Sequence, residues 1–170
     1  DRLAQITAKL QPLRGAKEWN QLITANAKVG DRKAAFGILD EMQQAGVRPD
    51  VYSYNILVSI CARAKQWQKA LVLLDEMRSA GVTPNVISFS AAISACEKGD
   101  QWEHALSLLE EKKARGLDPD AVTCSEAIPA CEKGRQWVEA RKLLKVMQTR
   151  GVEPNVITFN AAISACEKGG

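Results

Sequence analysis

Val86-Ile-Ser-Phe-Ser-Ala-Ala-Ile-Ser-Ala-Cys-Glu-Lys-Gly99 opens a stretch that runs on to Arg115-Gly-Leu-Asp-Pro-Asp120. The opening returns as Val156-Ile-Thr-Phe-Asn-Ala-Ala-Ile-Ser-Ala-Cys-Glu-Lys-Gly169. The ending returns too, as Gly46-Val-Arg-Pro-Asp50, Gly81-Val-Thr-Pro-Asn85 and Gly151-Val-Glu-Pro-Asn155. With Asp120, these endings close at residues 50, 85, 120 and 155, a constant spacing of 35. Self-similarity at one fixed period is the mark of a stacked repeat array. Four whole units follow from it, 16–50, 51–85, 86–120 and 121–155, with a partial fifth over 156–170 that holds a first helix only.

Each unit divides into two helical stripes. Counting Val51 as position 1 of its unit, positions 4, 7, 8 and 11 are mostly apolar: Tyr54, Leu57, Val58 and Cys61, then Phe89, Ala92, Ile93 and Cys96. Spacings of three and four residues put them on one side of a helix. Positions 17, 20, 23, 24 and 27 repeat the pattern with Trp67, Ala70, Leu73, Leu74 and Met77. Trp102, Ala105, Leu108 and Leu109 echo it, and Lys112 breaks it at the end. A Lys-Gly break separates the stripes in several units, as at Lys98-Gly99 and Lys133-Gly134. Gly46, Gly81, Gly116 and Gly151 suit a helix C-terminus, and the proline three residues later forbids continuation. The expected fold is all-α, a right-handed α-solenoid of stacked helix-turn-helix repeats. Residues 1–15 fall outside the period; Leu3, Ile6 and Leu10 have helical spacing, so this segment is expected to be a capping helix or a worn repeat ending at Pro12. Pro129 lies inside the first helix of the fourth unit, where a kink is expected. Opening at Asp1 and stopping within a repeat, the chain reads as a piece of a longer protein.

Bulk composition narrows the function classes. An apolar content of 46% can fill a ribbon-like core, and no apolar run approaches the roughly 20 residues of a membrane span. A formal charge of +3 permits a polyanionic partner without demanding one. Four of the five cysteines, Cys61, Cys96, Cys131 and Cys166, share one repeat position. Equivalent helices pack about 8–10 Å apart, beyond the roughly 7 Å Cα reach of a disulfide. The thiols read as small buried hydrophobes, in keeping with a reducing compartment.

The informative side of the first helix carries positions 2, 5, 9 and 13. Position 13 is basic in every unit: Lys28, Arg63, Lys98, Lys133 and Lys168. A cation near a helix C-terminus suits the dipole, but a row of them also matches a phosphate chain. Position 5 is Asn20, Asn55, Ser90, Ser125 and Asn160; position 35 is Asp50, Asn85, Asp120 and Asn155. Helix N-capping favours such residues at position 35. Ser53, Ser88, Thr123 and Thr158 at position 3 are also good caps, and Glu126 stands at capping-box spacing from Thr123. With position 3 assigned to capping, positions 5 and 35 require a second explanation. Position 2 is apolar on this polar side, with Tyr52, Ile87, Val122 and Ile157, although the first unit has Lys17 there. An apolar group beside a donor–acceptor pair fits a flat ring with a hydrogen-bonding edge.

The period, the Val-x-[Ser/Thr]-[Tyr/Phe]-[Asn/Ser] openings and the Gly-x-x-Pro-[Asp/Asn] endings resemble the pentatricopeptide repeat family in its plain, constant-length class, over Ala16 to Gly170. The resemblance implies single-stranded RNA as partner, with one base read per repeat. It implies that residues 5 and 35 select the base while position-2 side chains of successive units sandwich it. On that pattern Asn20 with Asp50 reads uracil, Asn55 with Asn85 cytosine with uracil tolerated, Ser90 with Asp120 guanine and Ser125 with Asn155 adenine, giving 5′-U-C-G-A-3′. Asn160 implies a pyrimidine next. The family also implies mitochondrial or plastid RNA metabolism.

Catalytic chemistry is not legible. His104 is the one histidine, and no nucleophile set, metal cluster or glycine-rich phosphate loop can be assembled. No enzymatic activity, cofactor, metal or small-molecule substrate is expected. The rival reading is a peptide-binding or scaffolding solenoid of the tetratricopeptide kind, whose usual period is 34 and whose Trp-Leu-Gly signature is missing here.

Overall fold

A computed structural model describes residues 15–169, so the expected N-terminal cap over 1–15 lies, but for Gly15, outside the described residues. Among the described residues there are nine α-helices and no strands. They are α1 (Ala16–Val29), α2 (Arg32–Gln44), α3 (Val51–Arg63), α4 (Trp67–Ser79), α5 (Val86–Lys98), α6 (Trp102–Ala114), α7 (Ala121–Lys133), α8 (Trp137–Thr149) and α9 (Val156–Gly169). Every first helix starts at position 1 of a repeat and every second helix at position 17. The 35-residue period is therefore a period of helix pairs.

The chain divides into two compact units, 1–57 and 58–170. In the first, α1 packs against α2, and Trp19, Ile23, Ile38, Leu39, Met42, Tyr54 and Leu57 are buried. In the second, α5 packs on α6 and α7, and α7 packs on α8 and α9. In this unit α5 and α7 each touch their own partner and the first helix of the next repeat, the two layers of a repeat stack. Phe89, Ala92, Ile93, Cys96, Leu109, Ile128, Cys131 and Leu143 fill the space between layers. The apolar stripes read from sequence are these residues. The exceptions are Trp67 and Trp102, which are half-buried, and Phe159 and Ile163 of α9, which are exposed.

Helix ends explain the repeat's fixed letters. Gly46, Gly81, Gly116 and Gly151 have φ of 75°, 73°, 72° and 66°, the left-handed conformation that costs glycine least. The Lys-Gly break has a different cause. Gly99 and Gly134 have ordinary φ of −91° and −84°. An added Cβ would lie 2.4 Å from Trp67 Cδ1 and 2.4 Å from Trp102 Cδ2, respectively. The glycine is there because the tryptophan of the preceding repeat lies against it. The left-handed residues of these turns are Lys65, Asp100 and Arg135, one place further on. α7 runs as α-helix through Pro129 to Lys133, and the Ser125 carbonyl is the one that loses its N–H partner.

Cys61, Cys96, Cys124 and Cys131 are free and buried, and Cys166 is free and exposed. Burial pushes the thiols of Cys61 and Cys96 up to about 11 and that of Cys131 up to about 12. Thiolate is the reactive form. In the folded chain Cys166 should therefore alkylate fast and the other four only on unfolding. Mass-resolved iodoacetamide labelling checks this, and fast labelling of Cys96 or Cys131 would contradict the packing described.

Candidate nucleic-acid interface

Position 35 is the N-cap of the helix that follows. Asn85 Oδ1 accepts from the Ser88 N–H at 3.1 Å, and the Asn85 N–H donates to Ser88 Oγ at 3.1 Å. Asp50 and Ser53 make the same reciprocal pair at 2.9 and 3.2 Å. Asp120 accepts from the Thr123 N–H at 2.8 Å and Asn155 from the Thr158 N–H at 2.8 Å. This corrects the assignment of capping to position 3. Ser53, Ser88, Thr123 and Thr158 are N3 residues that return the bond, so Glu126 plays no part in a capping box. The reason is that the helix begins at position 1, which leaves only position 35 in the extended conformation a cap requires.

Capping uses one atom of each of these side chains, Oδ1. Asp and Asn are equivalent in that role. They differ only in the second atom, a carboxylate oxygen or an NH2 group. In the first compact unit Asn20, 4% exposed, donates from Nδ2 to Asp50 Oδ1 at 3.1 Å and accepts from Ser53 Oγ at 2.6 Å. Burial raises the Asp50 carboxyl, but hydrogen bonds from Ser53, Asn20 and Tyr52 outweigh it and hold the acid below its ordinary value. Asn20, Asp50, Tyr52, Lys17 and Lys28 line a cavity of about 640 Å³. Asn55 is buried in this unit, and Asn85 caps α5 in the other.

In the second compact unit, Ser90 and Asp120 line a cavity of about 400 Å³ with Ile87, Val122, Arg63 and Glu126. The side chains of Ile87 and Val122 are 59% and 57% exposed, open to a stacked ring. Ser90 Oγ lies 2.8 Å from Thr123 Oγ1, and Thr123 Oγ1 donates to Asp120 Oδ1. Beneath them lies Lys112, completely buried, whose ammonium donates to Thr123 Oγ1 and, at 3.4 Å, to Asp120 Oδ1. Ser90 Oγ donates its one proton to the Val86 carbonyl oxygen at 2.9 Å, four residues back in the same helix. Ser90 Oγ and Asp120 Oδ2 then both present lone pairs to the cavity. Burial raises the Asp120 carboxyl, and Thr123 and Lys112 more than reverse it. Burial lowers the Lys112 ammonium, against the pull of Asp120.

Lys112 belongs to the site, whereas the sequence pattern marks it only as a break in a stripe. Its signal is that position 27 is methionine in the other units, Met42, Met77 and Met147. In the fourth repeat, Ser125 is half-buried, and Asn155 is exposed and spends Oδ1 on Thr158. Ile157 is 72% exposed and Asn160 is exposed.

The basic row divides. Lys28 and Arg63 are exposed and form no ion pair among the described residues. Lys98 donates to Ser94 Oγ at 2.8 Å. Lys133 donates to the Glu97 carbonyl oxygen at 2.7 Å and to Glu97 Oε1 at 3.0 Å, and pairs with Asp100 at 2.7 Å. Lys168 pairs with Glu132 at 2.7 Å. No group of His, Cys, Asp and Glu among the described residues is placed to hold a metal ion. No described helix is long and apolar enough to cross a membrane.

Comparison with known proteins accords with this geometry. The pentatricopeptide repeat domain profile matches residues 17–62, 37–98 and 107–168, and a single-repeat profile matches 87–117. No curated protein matches by sequence. Among solved structures, the pentatricopeptide repeat protein PPR10 in complex with an 18-nt psaJ RNA element aligns at 28% identity and TM-score 0.73. That alignment covers 90% of this chain but only 22% of PPR10. The PPR domain of Arabidopsis thaliana protein-only RNase P 1, in complex with tRNA, aligns at 22% identity and TM-score 0.74, covering 88% of this chain and 82% of that one. Nuclear proteinaceous RNase P 2 from A. thaliana aligns at 16% identity and TM-score 0.74, over 89% of this chain and 35% of that one. The fold is an all-α helical repeat solenoid, and the chain belongs to the pentatricopeptide repeat family.

Proposed function

We propose that this chain binds single-stranded RNA and reads one base per repeat through positions 5 and 35, in the organellar RNA metabolism typical of its family. The observation that supports this most directly is the division of labour within position 35. Oδ1 makes the helix cap in Asp and Asn alike, so the alternation Asp50, Asn85, Asp120, Asn155 changes nothing in the cap. It changes the second atom from acceptor to donor and, at Asp120, also the charge that faces Lys112. A selection acting on caps alone has no reason to prefer one over the other.

Ser90 with Asp120 illustrates the reading in atoms. Two acceptors side by side match guanine, whose N1–H and N2–H2 both donate. Adenine offers one donor, N6–H2, beside the acceptor N1, and would place that acceptor against a lone pair. Ile87 and Val122 bracket the ring, and Arg63 at the cavity edge meets phosphate. By the same logic Asn155 presents its amide donor with Ser125 for adenine. Asn20 with Asp50 reads uracil, and Asn55 with Asn85 reads cytosine. The resulting preference is 5′-U-C-G-A-3′. Tyr52 and Ile157 are position-2 counterparts of Ile87 and Val122, and Asn160 begins a further pyrimidine site.

Four bases at about 1–3 kcal/mol each, less the cost of ordering the strand, give binding that is micromolar or weaker. Fluorescence anisotropy against short RNAs differing at one base tests the code. Asp120→Asn should move the third-base preference from guanine towards adenine and leave the other three positions unchanged. An unchanged preference in a folded variant rejects base reading by position 35. Tight, salt-insensitive binding of peptides in place of RNA would favour the scaffolding alternative.

A further inference from the structure

We propose that the position-13 cations divide into two functional sets. Lys28, Arg63 and Lys98 face phosphate, whereas Lys133 and Lys168 fasten one repeat to the next and contact no phosphate. The proposal rests on the RNA reading above and assigns which repeats carry its electrostatic part.

An ammonium has three donors. Lys133 spends them on the Glu97 carbonyl at 2.7 Å, Glu97 Oε1 at 3.0 Å and Asp100 Oδ1 at 2.7 Å. All three acceptors belong to the preceding repeat. A phosphate oxygen would have to displace one of two carboxylates and then lie beside it. Lys168 keeps the glutamate part of this arrangement one unit later. It meets Glu132 Oε1 at 2.7 Å, an oxygen that also accepts from Ser164 Oγ at 2.7 Å. The bonds from Lys168 and Ser164 hold the Glu132 carboxyl below its ordinary value.

The pairing follows from one sequence position. The acid at position 12 clasps the cation at position 13 of the next repeat. Position 12 is Glu97 and Glu132 where the clasps occur, and Ala27 and Ala62 earlier in the chain. Arg63 and Lys98 therefore follow repeats that offer no acid at that place, and Lys28 forms no ion pair among the described residues. Lys98 has a single neutral partner, the Ser94 hydroxyl, which leaves two donors. Arg63 borders the cavity that holds Ser90 and Asp120, and Lys28 borders the one that holds Asn20 and Asp50. The repeated Cys-Glu-Lys-Gly motif thus pairs a Glu and a Lys that serve successive units, and the identical lysines in it have different surroundings.

Salt dependence separates the two sets. For single strands each neutralised phosphate contributes about 0.7 to the slope of log affinity against log salt. With a short single-stranded RNA containing UCGA, Lys98→Gln should flatten the slope by about 0.7 and weaken binding several-fold at low salt. Lys133→Gln should leave the slope unchanged while lowering the melting temperature. Glu97→Gln should lower it too, and the double variant should melt no lower than the worse single one. A Lys133→Gln slope flattened as much as that of Lys98→Gln overturns the division. A wild-type chain with no salt-dependent RNA affinity would reject the RNA reading itself, whatever the lysine variants do to melting.

Discussion

Replacing Asp120 with alanine is expected to destabilise the chain by about 4 kcal/mol, while the same change at Asn155 costs about 1 kcal/mol. Both residues cap a first helix, and losing a cap accounts for about 1 kcal/mol at either place. The difference is Lys112. Its ammonium is completely buried, and Asp120 is the only carboxylate paired with it among the described residues. Removing one partner of a buried pair leaves a charge without compensation, at a cost of about 3–5 kcal/mol. The lower end applies because the Asp120 side chain is 42% exposed and Thr123 remains as a neutral acceptor.

The complementary variant has the opposite sign. Lys112→Met restores the residue that Met42, Met77 and Met147 show to fit this position, each of them buried. Exchanging buried ionic groups for apolar ones of similar size is commonly neutral or stabilising by about 1–4 kcal/mol. The double variant, Asp120→Ala with Lys112→Met, should regain most of what Asp120→Ala loses. A urea-denaturation cycle over the four proteins measures the coupling. Costs that simply add would show that Lys112 does not depend on Asp120. The pH dependence follows the same pair. The Asp120 carboxyl lies below its ordinary value in the folded state. Its contribution is therefore complete above the unfolded value of about 3.9 and is lost as pH falls through the folded one.

How much of this is legible in the letters differs between fold and site. The helix pairs are readable because a period of 35 is written four times, and each apolar stripe has independent copies to support it. The site residues are readable as positions, since only small polar residues occur at 5 and 35. Their local role is harder to read, because Ser, Thr, Asp and Asn all cap helices. Composition cannot say which of two neighbouring polar positions stands first in line. The split among the basic residues is hidden for another reason. Lys98, Lys133 and Lys168 occupy identical motifs, and what separates them is an acid one repeat earlier. Lys112 is visible as a break in a stripe, but its role depends on a carboxylate eight residues away, across a turn.

Gly134→Val should lower stability by about 3 kcal/mol, although Gly134 sits at a helix end where glycine is usually read as a flexible joint. Its φ of −84° is open to any residue, so backbone conformation is not the obstacle. The obstacle is Trp102. A Cβ on residue 134 would lie 2.4, 2.5 and 2.9 Å from Trp102 Cδ2, Cε3 and Cγ. These belong to a rigid fused ring, which cannot yield as the tip of a flexible side chain would. Overpacking of this kind costs about 1–3 kcal/mol, and a branched side chain that meets three ring atoms belongs at the top of that range. For a chain of this size the melting temperature should fall by roughly 6–12 °C. The contact recurs at Gly99 with Trp67 and at Gly169 with Trp137, always joining one repeat to the next. The loss is thus a loss of coupling between neighbours, which in a repeat array shows as a broader as well as an earlier transition. Trp102→Leu in the Gly134→Val background removes the ring that the new side chain strikes and should recover part of the loss. An unchanged melting curve for Gly134→Val would show that the tryptophan does not hold these repeats together. The glycine would then have only the turn to explain it.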